Sequence, residues 1–368
     1  MASPNGTRRG GRGRRSDERS GPYAALDLGT NNCRLLIAHP SRSGRLRVVD
    51  SHSQVVRLGE GLATTGRLSD AAMERALDAL KACLVKVKRH KPVMARYIAT
   101  QACRAAENGQ AFLTRVRREL GLNLDTITPK QEAKYALLGS LDLIDHDADF
   151  SAVIDIGGGS TEICWVDAKT ALARGVSGCA ARPPILGWAS FPFGVVTLSE
   201  QFPGYGAPAY EDLVAHVRGL LEANDAAARF GPLFRAGRGQ LIGNSGTVTS
   251  LAAVSMGLER YMRSVVDGSW IERDGALAAC RRLAQASVEE RAAEPCIGPE
   301  RADLIVAGCA ILEAIWTAWP AHRMRVGDRG LREGILLSMI YGPKKAGGRR
   351  PGKRRGPAGA ASSPRVEE

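Results

Sequence analysis

A six-residue pattern occurs twice in the chain, and this repeat constrains the fold more than any other feature. Residues 25–30 read Ala-Leu-Asp-Leu-Gly-Thr, and residues 153–158 read Val-Ile-Asp-Ile-Gly-Gly. Each copy is an apolar segment interrupted by one Asp, followed by Gly, a small or polar residue and a second apolar segment. The copies are 128 residues apart, about the length of one domain. The repeat therefore predicts two domains related by duplication.

Short apolar segments alternate with longer segments of helical periodicity, which predicts an α/β fold. Strands are predicted over residues 24–28, 34–38, 45–50, 54–57, 95–99, 152–156, 162–166, 240–242 and 324–326. Helices are predicted over residues 69–87, 109–120, 210–224, 247–254, 299–316 and 331–340, and a further one from residue 130. An acidic break at 145–149 suggests domain I over 22–146, domain II over 147–328 and a closing helix over 329–342.

The net charge of +13 is concentrated at the two ends of the chain. Residues 1–20 carry +4 and residues 343–368 carry +6, which leaves +3 for the rest. Segments so rich in Gly, Arg and Pro bury too little apolar surface to fold, so disordered basic tails are predicted over 1–21 and 343–368. Such tails could bind a polyanion such as polyphosphate, RNA or an anionic surface, or could serve only solubility.

The cysteine and histidine residues show no spacing typical of disulfide-rich or zinc-binding proteins. The eight Cys occur singly and the six His are scattered, so reduced thiols in the cytoplasm are expected and a zinc site is not. The basic N-terminus lacks a following apolar core, and the apolar segment 304–312 is too short to span a bilayer. A membrane partner is therefore not expected.

The first copy of the repeat continues into a polar turn. Asp27 precedes Gly29, Thr30, Asn31 and Asn32. Glycine permits close approach of a ligand, and the exposed N–H groups and polar side chains can bind phosphate oxygens. Asp27 could hold a hydrated metal. The alternative is an ordinary hairpin turn with an Asp that bonds its own backbone.

The second copy continues into a glycine-rich loop that is a stronger candidate for phosphate binding. Asp155 and Glu162 flank this loop, and two carboxylates of this kind suit Mg²⁺. The loop has neither the Lys of a Walker A motif nor the spacing of a dinucleotide fingerprint. A plain flexible loop is the alternative. The candidate phosphate-binding residues are Gly157, Gly158, Gly159, Ser160 and Thr161.

A third loop, Gly-Asn-Ser-Gly-Thr at 243–247, follows a predicted strand and opens a predicted helix. Helix N-termini favour anions, so Ser245, Gly246 and Thr247 are candidate phosphate ligands. The last glycine of a serine nucleophile elbow is replaced by Thr247, which argues against a serine hydrolase. Helix capping alone is the other explanation.

Together these loops resemble those of the exopolyphosphatase/guanosine-pentaphosphate phosphatase (Ppx/GppA) family, which belongs to the actin-like superfamily. Three further stretches are similar to segments of this family: ATQACRAAEN at 99–108, ERADLI at 300–305 and GLREG at 330–334. The resemblance covers about residues 23–340. It implies two actin-like (ribonuclease H-like) domains in the short form of the family, without the additional helical domain of longer members.

The resemblance also implies a chemistry and roles for particular residues. Glu132, within KQEAK at 130–134, matches the family's catalytic glutamate, although Gln131 replaces a carboxylate often found beside it. It would activate water for attack on a terminal phosphoryl group. Arg104 and Arg34 would stabilise charge on the phosphate oxygens. Asp155 and Glu162, with Asp27 through water, would hold Mg²⁺ or Mn²⁺.

The resemblance leaves the substrate open between inorganic polyphosphate and guanosine pentaphosphate, and a homodimer is one possible assembly. Two other functions are compatible with the motifs. One is an ATP-dependent kinase of the same superfamily, and the other is a non-catalytic protein that binds polyphosphate, an alarmone or RNA.

Overall fold

The structure is a computed structural model that describes residues 21–41, 45–203 and 207–343. Except for Gly21 and Pro343, the predicted basic tails lie outside the described residues. The described part is built on two mixed β-sheets. No helix within it is long and apolar enough to cross a membrane.

The first sheet has the order β3-β2-β1-β4-β5. Its strands are β1 Tyr23–Leu28, β2 Asn32–Pro40, β3 Leu46–Val55, β4 Met94–Ala99 and β5 Asp125–Thr126. Strand β1 pairs antiparallel with β2 and parallel with β4. The prediction of two strands at 45–50 and 54–57 was wrong, because β3 is continuous and pairs with β2 along its length. Polar residues 51–53 break the apolar pattern without breaking the backbone ladder.

The second sheet has the order β10-β11-β9-β6-β7-β8. Its strands are β6 Phe150–Ile156, β7 Thr161–Asp167, β8 Ile185–Phe191, β9 Gly239–Asn244, β10 Trp270–Glu272 and β11 Arg323–Gly327. Strands β6, β7 and β8 form an antiparallel meander, and β6 is parallel to β9. The order β8-β7-β6-β9-β11 thus repeats the order of the first sheet. The predicted duplication and the actin-like α/β fold class are confirmed.

In the described residues, five helices and one short 3₁₀ turn precede the second sheet. They are α1 Leu62–Thr65, α2 Asp70–His90, α3 Gln101–Ala105, α4 Gly109–Leu120, α5 Pro129–Ser140 and the 3₁₀ turn Leu141–Leu143. The predicted cap of α2 is confirmed, because Ala72 N–H donates to Ser69 Oγ at 3.2 Å. Helix α5 starts with Pro129 and a capping box between Thr128 and Gln131, and both features stabilise a helix N-terminus.

Ten helices lie within or after the second sheet in the described residues. They are α6 Ala168–Ala181, α7 Val195–Gln201, α8 Ala207–Glu222, α9 Asp225–Arg235, α10 Gly246–Ser255, α11 Arg263–Val266, α12 Arg273–Gln285, α13 Val288–Ala293, α14 Ile305–Ala318 and α15 Leu331–Tyr341. The helix predicted over 299–316 begins later than expected, at Ile305. Residues 298–304 form turns closed by hydrogen bonds from Arg301 N–H to Gly298 O and from Leu304 N–H to Arg301 O.

Helices α5 and α15 join the two sheets. Helix α5 packs on β6, β7 and β8, whereas α15 packs on β1, β2 and α6, and the two helices pack on each other. A Cβ on Gly334 would lie 1.9 Å from the Tyr135 carbonyl oxygen, and one on Gly139 would lie 2.5 Å from the Gly330 carbonyl oxygen. Only glycine fits such a close crossing. The boundaries assigned from the sequence to domains I and II stay a prediction.

Candidate active site

A cleft of about 790 Å³ lies between the two sheets and collects the three predicted loops. It is bounded by the β1–β2 turn, the β6–β7 turn and the N-terminus of α10. Predicted site residues that line it are Asp27, Gly29, Thr30, Asn31, Asn32, Arg34, Glu132, Asp155, Gly157, Gly158, Gly159, Ser160, Glu162, Ser245, Gly246 and Thr247. Loops that are far apart in the sequence therefore meet at one surface.

The two duplicated loops touch each other at the base of this cleft. A Cβ on Gly158 would lie 3.1 Å from Thr30 Cβ, and one on Gly159 would lie 2.3 Å from Gln101 Oε1 and 2.9 Å from Thr30 Oγ1. Thr30 Oγ1 also donates to Gln101 Oε1 at 3.3 Å. Glycine permits this approach, because a side chain at either position would displace its neighbours.

Helix α7 supports the glycine loop from behind. Its first amide groups donate to the loop, from Val195 N–H to Gly157 O at 3.0 Å and from Val196 N–H to Gly158 O at 2.8 Å. These bonds use the carbonyl groups of Gly157 and Gly158 and keep them turned toward α7. The N–H groups that follow in the loop can therefore face the cleft, as a phosphate site requires.

The strand registers set the acidic residues of the cleft in a fixed arrangement. Asp155 on β6 lies directly opposite Glu162 on β7, and Asp27 on β1 lies directly opposite Arg34 on β2. Directly opposite residues share one face of a sheet. Burial raises the pKa of Asp155 to about 6, although Arg34 opposes the shift. Burial, with Asp155 as a further cause, raises the pKa of Glu162 to about 7.

Glu132 is buried at the N-terminal end of α5, with 6% of its surface exposed. Burial raises the pKa of its carboxyl group well above the ordinary value, and the charges of Glu162, Asp27 and Asp155 add to this shift. The Arg104 guanidinium lies 3.4 Å from Glu132 Oε2 and lowers the same pKa. Burial of this kind makes a carboxylate a stronger base, which is typical of a general base in an active site.

Two predicted residues do not reach the surface of the cleft. Arg104 lies against Glu132 and donates to the Ile127 carbonyl oxygen at 2.7 Å, so it contacts the proposed base rather than a phosphate position. Thr161 is fully buried, and its hydroxyl donates to the Phe193 carbonyl oxygen at 2.9 Å. The sequence could not separate Thr161 from Ser160, because strand β7 begins between them and reverses the side-chain direction.

The third loop carries backbone strain. Ser245 has φ of 111°, a region that non-glycine residues rarely adopt. Its Oγ caps α10 by accepting from Val248 N–H at 3.5 Å. Arg301, in the turn that precedes α14, supports the start of α10 because it donates to Ser250 Oγ at 2.7 Å. Strain of this kind is typical of ligand-binding turns.

Several cleft residues were not selected from the sequence. They are Gln101, Arg263, Arg301, Arg329 and Arg332. Gln101, Arg301 and Arg332 lie in the segments that carry the family resemblance, so that signal could have found them. Arg263 and Arg329 have no comparable pattern and become visible only once the fold brings them to the cleft.

The acidic residues fit a magnesium ion that is bound together with phosphate. Asp27 Oδ1 is buried and has no hydrogen-bond partner among the described residues. Within the same residues no three Asp, Glu, His or Cys side chains form a metal site by themselves. Mg²⁺ usually takes one or two carboxylates and completes its shell with water and substrate phosphate. The donor set is therefore appropriate for Mg²⁺ and inappropriate for a zinc cage.

Comparison with known proteins bears on the identity of this cleft. The sequence model of the Ppx/GppA phosphatase family matches residues 37–341. The chain belongs to this family. Membership makes it a hydrolase, and it confirms the resemblance that the sequence motifs suggested. The match supports an enzyme over the non-catalytic binding protein that the motifs alone left open.

Relatives in this family cover most of the chain. Exopolyphosphatase 2 of Mycobacterium tuberculosis is 28% identical over 86% of this chain and 98% of that protein. Guanosine-5'-triphosphate,3'-diphosphate pyrophosphatase of Aeromonas hydrophila is 30% identical over 86% of this chain but only 59% of that longer protein. The crystal structure of the Aquifex aeolicus Ppx/GppA family member superposes with a TM-score of 0.68 at 28% identity, over 87% of this chain and 97% of that one.

Proposed function

We propose that the protein releases the terminal phosphate of inorganic polyphosphate or guanosine pentaphosphate, with Mg²⁺ or Mn²⁺ as the cofactor. The observation that carries the proposal is the buried Glu132 carboxyl group, which lines the same cleft as both phosphate-binding loops. The names of the Mycobacterium and Aeromonas relatives denote polyphosphate and guanosine pentaphosphate hydrolysis. Both substrates end in a phosphoanhydride bond, so one site suits either.

In this mechanism the two duplicated loops bind the terminal phosphoryl group between them. Gly29, Thr30 and Asn31 contact it from the first sheet, and Gly157–Ser160 contact it from the second. The Gly29 and Gly157 N–H groups close the two turns by donating to Asn32 O and Ser160 O, and the remaining loop N–H groups and the hydroxyl groups stabilise the charge that develops on the transferred group. Positioning supplies much of the rate enhancement, since the loops fix the phosphoryl group relative to the attacking water.

Glu132 orients that water and accepts its proton. Its raised pKa suits this task, because the carboxylate is a stronger base than an exposed glutamate. Arg104 holds the carboxylate in place and limits the rise in its pKa. When bound by Asp155 and Glu162, and through water by Asp27, Mg²⁺ would neutralise negative charge on the substrate phosphates.

A substrate panel tests the proposal. Phosphate release is measured from polyphosphates of several lengths and from guanosine pentaphosphate, with and without Mg²⁺ or Mn²⁺. The wild type is compared with Glu132→Gln and with Glu119→Gln, an isosteric change on the exposed end of α4. The Glu132→Gln variant should lose on the order of 10²–10⁴ in kcat, and Glu119→Gln should not. Equal rates for all three proteins, or no release from any substrate, would contradict the proposal.

We further infer a cytoplasmic location. All eight cysteines are free and buried in the described part of the chain, and unpaired thiols are typical of reducing compartments. Alkylation of the denatured protein isolated under non-reducing conditions tests this, and a disulfide found there would count against it.

A further inference from the structure

Five of the described arginines line the cleft, and they differ in whether their side chains form ion pairs or hydrogen bonds with the protein. They are Arg34, Arg263, Arg301, Arg329 and Arg332. Three of them form ion pairs or hydrogen bonds with the protein. Arg263 pairs with Asp328 at 3.3 Å, Arg301 donates to Ser250 Oγ at 2.7 Å, and Arg329 pairs with Asp267 at 3.0 Å. Among the described residues, Arg34 and Arg332 have neither an ion pair nor a side-chain hydrogen bond.

The contrast is clearest within the short segment that carries Arg332. Asp328 pairs with Arg263, and Arg329 pairs with Asp142 and Asp267. Glu333 accepts from Gly330 N–H at 3.0 Å and lies 3.6 Å from Arg263. Every other charged side chain in residues 328–333 therefore has a partner within the described residues. Within residues 328–333, Arg332 is the charged residue whose side chain lines the cleft without an ion pair or a side-chain hydrogen bond to a described residue.

Arg34 and Arg332 line the same cleft, and α15, which carries Arg332, packs on β2, which carries Arg34. Burial lowers the pKa of Arg34, and the positive charge of Arg332 is the next cause of that shift. Both guanidiniums also lower the pKa of Asp27, against the effect of its burial. Asp27 and Asp155 offset part of the charge of Arg34, but neither guanidinium forms an ion pair with a described carboxylate, and two like charges close together are unfavourable in a partly buried site. Their arrangement is explained if an anion neutralises both of them.

The fold holds Arg332 rigidly in this position. Leu331 is buried beside it, and α15 packs on β1 and β2, the strands that carry Asp27 and Arg34. The close crossing with α5 at Gly334 fixes α15 along its axis. The helix also starts next to the metal-binding carboxylates, because a Cβ on Gly330 would lie 3.9 Å from Asp155 Oδ2.

We propose that Arg332 and Arg34 together form a two-arginine clamp that binds the phosphate oxygens of the substrate. Arg34 comes from strand β2 of the first sheet and Arg332 from helix α15, so the clamp forms only when α15 is packed against the first sheet. Guanidinium groups bind phosphate through paired, charge-assisted hydrogen bonds. The proposal rests on the phosphate-cleaving function inferred above and adds a binding residue to that site.

Binding of inorganic phosphate tests the clamp without requiring turnover. Calorimetry measures the phosphate affinity of the wild type, Arg332→Ala, Arg332→Lys and Arg117→Ala. The last variant removes the same charge from an exposed position on α4. Affinity should fall about 10- to 100-fold in Arg332→Ala, fall less in Arg332→Lys, and stay unchanged in Arg117→Ala. Added guanidinium ion should restore part of the affinity to Arg332→Ala but not raise that of the wild type.

The melting temperature separates binding from folding in this experiment. If Arg332→Ala is unfolded, the Arg332→Lys variant is decisive, because it keeps the charge and loses only the paired geometry. Wild-type phosphate affinity in a folded Arg332→Ala variant would overturn the clamp, and so would an equal loss in Arg117→Ala. Intact phosphate binding with no turnover on any substrate would instead refute the proposed function and leave the clamp standing.

Discussion

Asp155 and Glu162 lie directly opposite each other on the antiparallel strands β6 and β7. The equivalent positions in the first sheet are Asp27 and Arg34, which also lie directly opposite each other. The two copies thus share the same cross-strand pairing, but the position of Glu162 in the second sheet is occupied by Arg34 in the first. The second sheet presents two carboxylates, which suit a cation, whereas the first presents a carboxylate and a guanidinium, which suit an anion beside it.

This asymmetry predicts that Glu162→Gln weakens the response to Mg²⁺ more than it weakens phosphate binding. The concentration of Mg²⁺ for half-maximal activity should rise at least ~10-fold, since one of the two carboxylates is lost. A Mg²⁺ titration of initial rates measures it. Glu60→Gln, on the surface beside Arg75, is the matched control, and an unchanged Mg²⁺ requirement in Glu162→Gln would remove that carboxylate from the cation site.

Arg104→Ala is predicted to alter the pH dependence of catalysis. Arg104 lowers the pKa of Glu132, so its removal should raise that pKa further and shift the acidic limb of the kcat profile to higher pH. At neutral pH kcat should fall roughly 10- to 100-fold, because less of the base is deprotonated and it is less well oriented. The pH–rate profile is the measurement. A uniform loss of rate with no shift of the limb would assign Arg104 a purely structural role.

The stability of the cation-free protein is predicted to fall as the pH rises from about 4 to about 8. The folded pKa values of about 6 for Asp155 and about 7 for Glu162 exceed the ordinary values of 3.8 and 4.5. The folded state therefore binds more protons than the unfolded state within this window, and ionisation disfavours folding by ~1.4 kcal/mol per unit of pKa shift.

Thermal unfolding in the presence of a chelator and of Mg²⁺ checks this prediction. Mg²⁺ should raise the melting temperature more at pH 8 than at pH 5, because it binds the ionised carboxylates. The double variant Asp155→Asn/Glu162→Gln should show a smaller decline in stability with pH. A Mg²⁺ effect of equal size at both pH values would contradict the assignment.

Gly159→Ala is predicted to lower activity by displacing the side chains that pack against the glycine loop. The new Cβ would lie 2.3 Å from Gln101 Oε1 and 2.9 Å from Thr30 Oγ1, so these side chains must shift, the hydrogen bond between them is disturbed, and the phosphoryl group is less well positioned. Because the obstacle is the end of a side chain, adding Gln101→Ala should recover part of the activity. Gly275→Ala on α12, where nothing lies within 4 Å, is the control. Full activity of Gly159→Ala alone would show that the loops need not touch.

Local patterns were sufficient to predict much of the site but not its full composition. The three loops and the paired acids follow from residue types at short spacing, Glu132 followed only from the family resemblance, and the structure brings all of them to one cleft. Thr161 was misassigned because one residue separates the loop from the buried strand β7. The single strand β3 was divided because its polar residues interrupt the apolar alternation while its backbone continues to pair with β2.

By itself the sequence determined the α/β class, the duplication and the membership of a phosphatase family, since each depends on motifs within a few residues of one another. Only the tertiary structure decided that Arg104 supports Glu132 instead of lining the cleft, and that Arg332 lines the cleft without an ion-pair or side-chain hydrogen-bond partner among the described residues. Those outcomes depend on α5 and α15, which lie far apart in the chain and pack on each other between the sheets. Such long-range packing leaves no periodic signal in the sequence, because it depends on the shape of the surfaces that meet.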